Sequence, residues 1–344
     1  MSEKFMIKEI REGFSIIKSY KDRWEEFVEV SKRIKSLDFQ NIVFVARGSS
    51  DNAATWGKYY MESHLRVPVS LCAPSLFTIY KLPPNLKSSL VIAISQSGES
   101  DDICEVVNNA NKQGALTIGI TNNPQGKLAQ IAKINIFLNS GIEKSVAATK
   151  TYLSQLVSIY FLTNTLIGRN ILPEFDKILN AMEDILKREE EIKEKVKPYK
   201  YMEHCAVLGR GFNLSTALET ALKLKETSYI IAQPYSSADF MHGPLALASE
   251  GFPVFFFVPK GESMEHSLEV LKTLKEKGSD IFIFTNEIDL LKEYDGIYIN
   301  CDIPEYITPI PFIYPAQFFA YYLAEIKGRD PDNPRNIRKV TITR

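Results

Sequence analysis

The chain has 344 residues, of which 45% are hydrophobic and 24% charged, and its 41 Lys and Arg against 42 Asp and Glu leave a formal net charge of -1. That balance excludes a disordered chain, a collagen and a small disulfide scaffold. It also provides no basic face for nucleic acid or an anionic membrane surface, so any phosphate bound is expected on a small molecule.

At roughly 100–200 residues per domain the length predicts two domains, each with its own core. Cys72, Cys104, Cys205 and Cys301 stand singly, with no Cys-x-x-Cys pair and no metal-ligand spacing. A reducing, cytoplasmic compartment is expected, with no metal and no cofactor. The N-terminal residues alternate charged and apolar types, and no segment approaches about 18 uncharged apolar residues, so neither a signal peptide nor a membrane span is expected.

Residues 7–34 carry apolar residues at helical spacing and predict one or two amphipathic helices, within a leading segment of residues 1–36. Short β-branched runs then alternate with helical stretches. Strands are predicted at 41–46, 69–72, 89–94, 116–120 and 134–138, and helices at 51–64, 101–112, 126–132 and 149–166. Strict alternation of this kind predicts a parallel sheet covered on both faces, here a first domain of residues 37–170. The run Lys187-Arg-Glu-Glu-Glu-Ile-Lys-Glu-Lys195 lies in a charged helix at about 173–196, within a segment 171–198 read as a solvated connector. The alternation resumes with strands at 205–208, 252–258, 280–285 and 296–300 and helices at 213–230, 264–277 and 311–327. These form a second domain of residues 199–330, followed by a tail of residues 331–344.

The two domains are copies. Val45-Ala-Arg-Gly48 aligns with Leu208-Gly-Arg-Gly211, and Gly98-Glu-Ser100 with Gly261-Glu-Ser263, both at an offset of 163 residues. The stretches ending in Thr121-Asn122 and Thr285-Asn286 agree within one insertion, so the fold class is a duplicated α/β domain.

Ligands of parallel sheets collect at the carboxyl ends of strands, where helix N-termini offer free N–H groups. Ile94-Ser-Gln-Ser-Gly-Glu-Ser100 occupies such a turn. It supplies the hydroxyls of Ser95, Ser97 and Ser100, the amide of Gln96 and, in Gly98, close access to backbone. It reads either as a phosphate cradle built from dipoles or as a plain N-cap turn. The second copy, Val258-Pro-Lys-Gly-Glu-Ser263, has lost the residues that would bind, which points to one ligand site per chain. Ser49-Ser50 and Val146-Ala-Ala-Thr149 are expected near the same sheet end.

In the second copy Glu219, Lys223 and Glu226 share one helical stripe at i, i+4 and i+7, either as a solvated salt-bridge ladder or as part of a site. His242 stands in a Gly-Pro turn. His64, His204 and His266 have no site-like context.

Ser95-Gln-Ser-Gly-Glu-Ser100, Val146-Ala-Ala-Thr-Lys150, Ala217-Leu-Glu-Thr-Ala-Leu-Lys-Leu-Lys-Glu226, His242-Gly-Pro-Leu-Ala-Leu247 and Pro334-Arg-Asn-Ile-Arg-Lys339, in this order, resemble the double sugar-isomerase (SIS) family. The resemblance is to the isomerase half of glucosamine-6-phosphate synthase and to the stand-alone SIS glucosamine-6-phosphate deaminases, from about Gln40 onward. It implies two flavodoxin-like SIS domains and a homodimer with shared active sites. It further implies a sugar phosphate held by Ser50, Ser95, Gln96, Ser97 and Ser100, with backbone help near Val146. Glu226 matches the base that moves a proton between C1 and C2, and His242 the ring-opening residue given by the neighbouring subunit. Lys339 matches the lysine that forms a Schiff base with the open-chain ketose, and Lys223 a supporting cation.

A lysine attacks only as a neutral amine, so burial or nearby cations such as Arg335 and Arg338 are expected around Lys339. Val340 and Ile342 alternate with polar residues and predict a tail that docks.

The synthase pattern has a glutaminase domain with an N-terminal cysteine, whereas here residue 2 is serine and the sugar-isomerase pattern starts almost at once. The synthase also has a small residue where Arg338 stands. The expected activity is therefore a deaminase that converts glucosamine 6-phosphate to fructose 6-phosphate and ammonia. The alternatives are a glutamine–fructose-6-phosphate aminotransferase without its glutaminase, using ammonia or a separate glutaminase partner, a fructosamine-6-phosphate deglycase, and a non-catalytic sugar-phosphate sensor.

Overall fold

The computed structural model describes residues 3–35 and 38–339. Residues 340–344, and with them the docking expected of Val340 and Ile342, lie outside the described residues. The chain forms two compact units. One contains Ser15–Glu143, Lys150–Leu172 and the tail from Arg338; the other contains the N-terminal residues to Phe14, Lys144–Thr149 and Pro173–Ile337.

The first unit holds β1 (Asn41–Val45), β2 (Val69–Leu71), β3 (Ser89–Ile94), β4 (Leu116–Thr121) and β5 (Ile134–Phe137). All pair in parallel in the order β2-β1-β3-β4-β5, with Ile42 opposite Leu90 and Ile92 opposite Ile118. This is the flavodoxin order, in which the direction of travel reverses between β1 and β3. The central strand β3 is buried at every residue, as a continuous apolar run covered on both faces must be. One face packs Val43, Val45, Val91 and Ala93 against Ile103, Val106 and Val107 of the helix Asp101–Lys112. The helix Lys150–Ile167 is buried from Lys150 to Leu166, because Trp24–Lys35 and Ser49–Leu65 both pack against it. A helix covered all round shows no polar stripe.

The second unit repeats the plan with β6 (His204–Gly209), β7 (Ile231–Ser236), β8 (Pro253–Val258), β9 (Asp280–Thr285) and β10 (Asp295–Tyr298), in the order β10-β9-β8-β6-β7. Its buried helix, Pro309–Ile326, packs on the helices Leu214–Ser228 and Glu189–Val196. Phe319 reaches the sheet at Phe255 and Phe282, with ring centroids 5.1 and 5.3 Å away. The fold is thus the duplicated α/β architecture expected.

Two readings change. Strand β7 was not anticipated, because Pro234 interrupts its pattern; the strand lies at the sheet edge, where a residue without an N–H is tolerated. The charged segment is not a solvated connector. It forms two helices, Leu172–Lys187 and Glu189–Val196, whose Phe175, Ile178, Met182, Ile185, Ile192 and Val196 are buried. The charges otherwise face outward, with Glu189 turned inward to Arg11 and the Tyr322 hydroxyl. No helix among the described residues is long and apolar enough to cross a membrane.

Gly209 ends β6 where the chain doubles back. A Cβ there would lie 2.1 Å from the carbonyl oxygen of Asn213, a backbone atom that cannot swing aside. Gly209→Ala is therefore expected to cost at least about 1–3 kcal/mol of stability, the scale of an overpacked core, as read by urea denaturation.

Candidate functional site

In the first unit, residues 95–100 run from the end of β3 to the N-terminus of the helix Asp101–Lys112. Gly98 has φ +69°, and a Cβ on it would stand 3.0 Å from Thr121 Oγ1, so the turn closes tightly on β4. Ser95 Oγ accepts the Gly98 N–H at 3.2 Å, and Ser97 Oγ accepts the Glu99 N–H at 3.2 Å. These bonds hold the hydroxyl oxygens in place, and Ser95 Oγ also lies 3.5 Å from Ser100 Oγ. Ser100 stands at the N-cap position but makes no side-chain capping bond, so the plain capping role does not describe it. Ser50, nearly buried at the start of Ser49–Leu65, accepts a hydrogen bond from Gln155 Nε2 at 3.0 Å.

Gln96 and Ser97 line a cavity of about 770 Å³ together with Asn122, Asn123, Glu143 and Lys339. The side chains that the sequence motifs placed in the loop and in the tail thus meet within one unit. Lys339 Nζ lies 2.6 Å from Glu143, a carboxylate with no exposed side-chain surface. The Glu143 carboxylate also accepts bonds from the Thr151 hydroxyl at 2.8 Å and the Thr151 N–H at 3.2 Å. Lys339 therefore meets a carboxylate where the sequence suggested cations. Neither Glu143 nor Gln155 was singled out, because one acid and one amide between motifs carry no local signal. Arg47 and Asp102 form a further pair at 2.7 Å, with the Asp102 side chain 2% exposed.

In the second unit the stripe on Leu214–Ser228 is not a solvated ladder. Lys223 is 1% exposed, with Nζ 3.3 Å from Glu219 and 2.5 Å from Glu226. Glu219 is fully buried, while Glu226 keeps 22% of its side chain exposed. Burial works against the Lys223 charge, but the two carboxylates outweigh it and hold the ammonium well above the ordinary lysine range. The buried cation thus pins a carboxylate that still reaches the surface.

Glu226 lines a cavity of about 410 Å³ with Tyr229, Arg335, Asn336 and Ile337. Tyr229 ends the helix with φ +59°. Its ring lies 4.3 Å from the Arg335 guanidinium and its hydroxyl accepts the Arg335 N–H at 2.9 Å, so this part of the tail is docked. Asp332 accepts the N–H groups of Phe5 and Met6 at 2.7 and 2.8 Å, capping the first helix from far along the chain.

Val146 sits in a segment fixed on both sides. The Glu9 carboxylate accepts the N–H groups of Lys144 and Ser145, and Gln317 donates to the Thr149 carbonyl at 3.1 Å. His242 is exposed after the short helix Ser237–Met241 and lies outside the cavity that Glu226 lines. Among the described residues no group of three or more His, Cys, Asp and Glu side chains is arranged to hold a metal.

Comparison with known proteins agrees with this fold. The family described as the SIS domain matches residues 38–165 and again residues 202–327, one match on each sheet. The chain belongs to the SIS domain family. A relative from Methanothermobacter thermautotrophicus, glutamine–fructose-6-phosphate aminotransferase (isomerizing), is 34% identical over 98% of this chain and 57% of its own length. The double-SIS chain thus spans a little over half of that relative. The C-terminal domain of glucosamine-fructose-6-phosphate aminotransferase from Francisella tularensis superposes with a TM-score of 0.85 at 29% identity, over 97% of this chain and 99% of that one. Glucosamine-6-phosphate deaminase from Thermotoga maritima shares the fold, with a TM-score of 0.77 at 23% identity over 96% of this chain and 100% of that one.

Removing the Lys223 charge strands a buried carboxylate. Lys223→Met is expected to lose about 3–5 kcal/mol, the scale for breaking a buried ion pair, in chemical denaturation at pH 7. Because the folded state raises the Lys223 pKa, its contribution is complete below the ordinary value of 10.5 and is lost only as pH climbs above it. The part of the gap between wild type and Lys223→Met that comes from the lysine charge should accordingly be lost only above pH 10.

Proposed function

We propose that this chain is an ammonia-exchanging amino-sugar-phosphate isomerase that converts glucosamine 6-phosphate to fructose 6-phosphate and ammonia. The observation that carries the reading is the Glu226 carboxylate, held by a fully buried lysine and still open to a cavity. That is the arrangement a proton-transfer base requires: fixed, charged and accessible.

In this reading the phosphate is held by the hydroxyls of Ser50, Ser95, Ser97 and Ser100, the Gln96 amide and backbone near Val146. His242 opens the sugar ring. Glu226 removes the proton from C2 of the open-chain amino aldehyde and returns a proton to C1, while the aldehyde oxygen gains a proton and the amino nitrogen loses one, leaving a hydroxyl at C1 and an imine at C2. The electron pair from the C2–H bond passes through an enolamine, whose charge Lys223 helps to stabilise. Lys339 attacks the C2 imine and expels ammonia; water then hydrolyses the Lys339 Schiff base and gives the ketose. Glu143, 2.6 Å from Lys339, is the carboxylate that takes the ammonium proton before attack.

Ammonia, rather than glutamine, fits this chain's own residues. Glutamine hydrolysis by a thiol needs an accessible thiolate. Burial pushes Cys72 and Cys104 up to about 11 and Cys205 and Cys301 up to about 12. The names of the relatives support the sugar-phosphate pair, and the reverse, ammonia-fixing direction uses the same residues.

Incubation with glucosamine 6-phosphate should release ammonia and fructose 6-phosphate in equal amounts; no ammonia above a protein-free control sinks the proposal. Glu226→Gln should lower that rate by roughly 10²–10⁴-fold and stop solvent deuterium entering C1 or C2, while the fold survives. Ser97→Ala should weaken substrate binding by about 1.5–3 kcal/mol, the scale of one hydrogen bond to a charged group. For a homodimer with shared sites, mixing Glu226→Gln with His242→Ala chains should restore activity; exchanged but inactive mixtures would assign both residues to one subunit.

A further inference from the structure

The Ser50 hydroxyl is held by an amide that lies inside the first SIS domain, out of reach of water. We propose that Gln155 is a positioning residue for the phosphate site: its side-chain N–H occupies the acceptor side of the Ser50 oxygen and leaves the Ser50 hydrogen to be donated to the phosphate. The inference rests on the reading of Ser50 as a phosphate ligand and adds the group that sets the direction of its hydroxyl.

Gln155 is 1% exposed and belongs to a helix buried from Lys150 to Leu166. Its Nε2 lies 3.0 Å from Ser50 Oγ, while its Oε1 has no hydrogen-bond partner among the described residues. A buried acceptor left unmatched is costly, and an apolar side chain of similar length would avoid that cost. What the amide supplies is an N–H directed at Ser50. A hydroxyl carries one hydrogen, and when its oxygen accepts from a donor that hydrogen points away from the donor. Ser50 stands in the first turn of the helix Ser49–Leu65, just after β1, and β1 pairs with β3, whose own end runs into residues 95–100. The hydroxyl thus stands between a nitrogen that only donates to it and the strand ends where an anion would accept from it.

Packing by itself is served by other contacts of the same two helices. They run side by side in one direction. Ser50 meets Gln155, a Cβ on Gly57 would stand 3.2 Å from Ile159 Cδ1, and Asn164 Nδ2 donates to the Tyr60 hydroxyl at 2.8 Å. Tyr60 and Asn164 have no exposed surface. Tyr60 lies two to three turns beyond Ser50, about 15 Å along the helix. That pair pins the register away from the strand ends, whereas the Gln155 bond falls at the end where residues 95–100 emerge.

Equilibrium dialysis of inorganic phosphate against the full-length chain, together with KM and kcat for glucosamine 6-phosphate, tests the proposal. Ser50→Ala should weaken phosphate binding by roughly 10–100-fold and Gln155→Met by roughly 3–10-fold. The double variant should bind no more than about twofold more weakly than Ser50→Ala, because Gln155 acts through Ser50. Gln155→Met should raise KM and leave kcat unchanged, while Tyr60→Phe should lower the denaturation midpoint without moving phosphate binding. Should Gln155→Met fail to fold, Gln155→Leu carries the same expectation. Unchanged phosphate binding in a folded Gln155 variant, losses that multiply in the double variant, a fall in kcat in place of the rise in KM, or an equal loss in Tyr60→Phe overturns the proposal. Ser50→Ala that binds phosphate as wild type does removes the reading of Ser50 and this proposal together; a loss in Ser50→Ala beside none in Gln155→Met removes this proposal alone.

Discussion

In a parallel sheet every strand must be reached by a crossover that returns along a face, and where strand order reverses the neighbouring crossovers depart to opposite sides. The carboxyl ends of the two strands at the reversal are then left open. In the first SIS domain this happens between β1 and β3 and in the second between β6 and β8. The groups with chemical capacity follow from it. Residues 95–100 leave β3 there, Ser50 begins the helix after β1, and residues 258–263 leave β8 at the equivalent place. The helix carrying Lys223 and Glu226 starts just beyond β6. The positions come from topology; the side chains differ because the two copies have diverged.

Much of this was legible in the sequence wherever the signal was local. The strands 89–94 and 280–285 and the helix 101–112 coincide with β3, β9 and Asp101–Lys112 to the residue, because each is a complete run of one period. β7 escaped because a proline breaks the apolar run, although its counterpart β2, related by the internal repeat, was recognised. The hydrophobic half of residues 172–196 was masked by the abundance of Glu and Lys around it.

The site was legible in its motifs and illegible in its long-range partners. Local spacing put Glu219, Lys223 and Glu226 on one stripe but did not tell a wet ladder from a buried cluster, since that depends on the helix Pro309–Ile326 packing over it. Glu143 meets Lys339 across 196 positions, and Glu305 meets Ser263 across 42. No periodicity reports such pairs. In both, a carboxylate is taken out of water and matched by the chain's own donors, which makes the geometry costly to disturb.

The cap that Asp332 places on the helix Phe5–Ser19 has a consequence in time. The bond from the Met6 N–H closes a separation of 326 residues, so the helix Phe5–Ser19 is completed by a residue synthesised long after it. At roughly 5–20 residues per second that helix waits on the order of tens of seconds with its leading N–H groups uncapped. Those N–H groups gain their carboxylate partner only after the strands of both sheets have been synthesised.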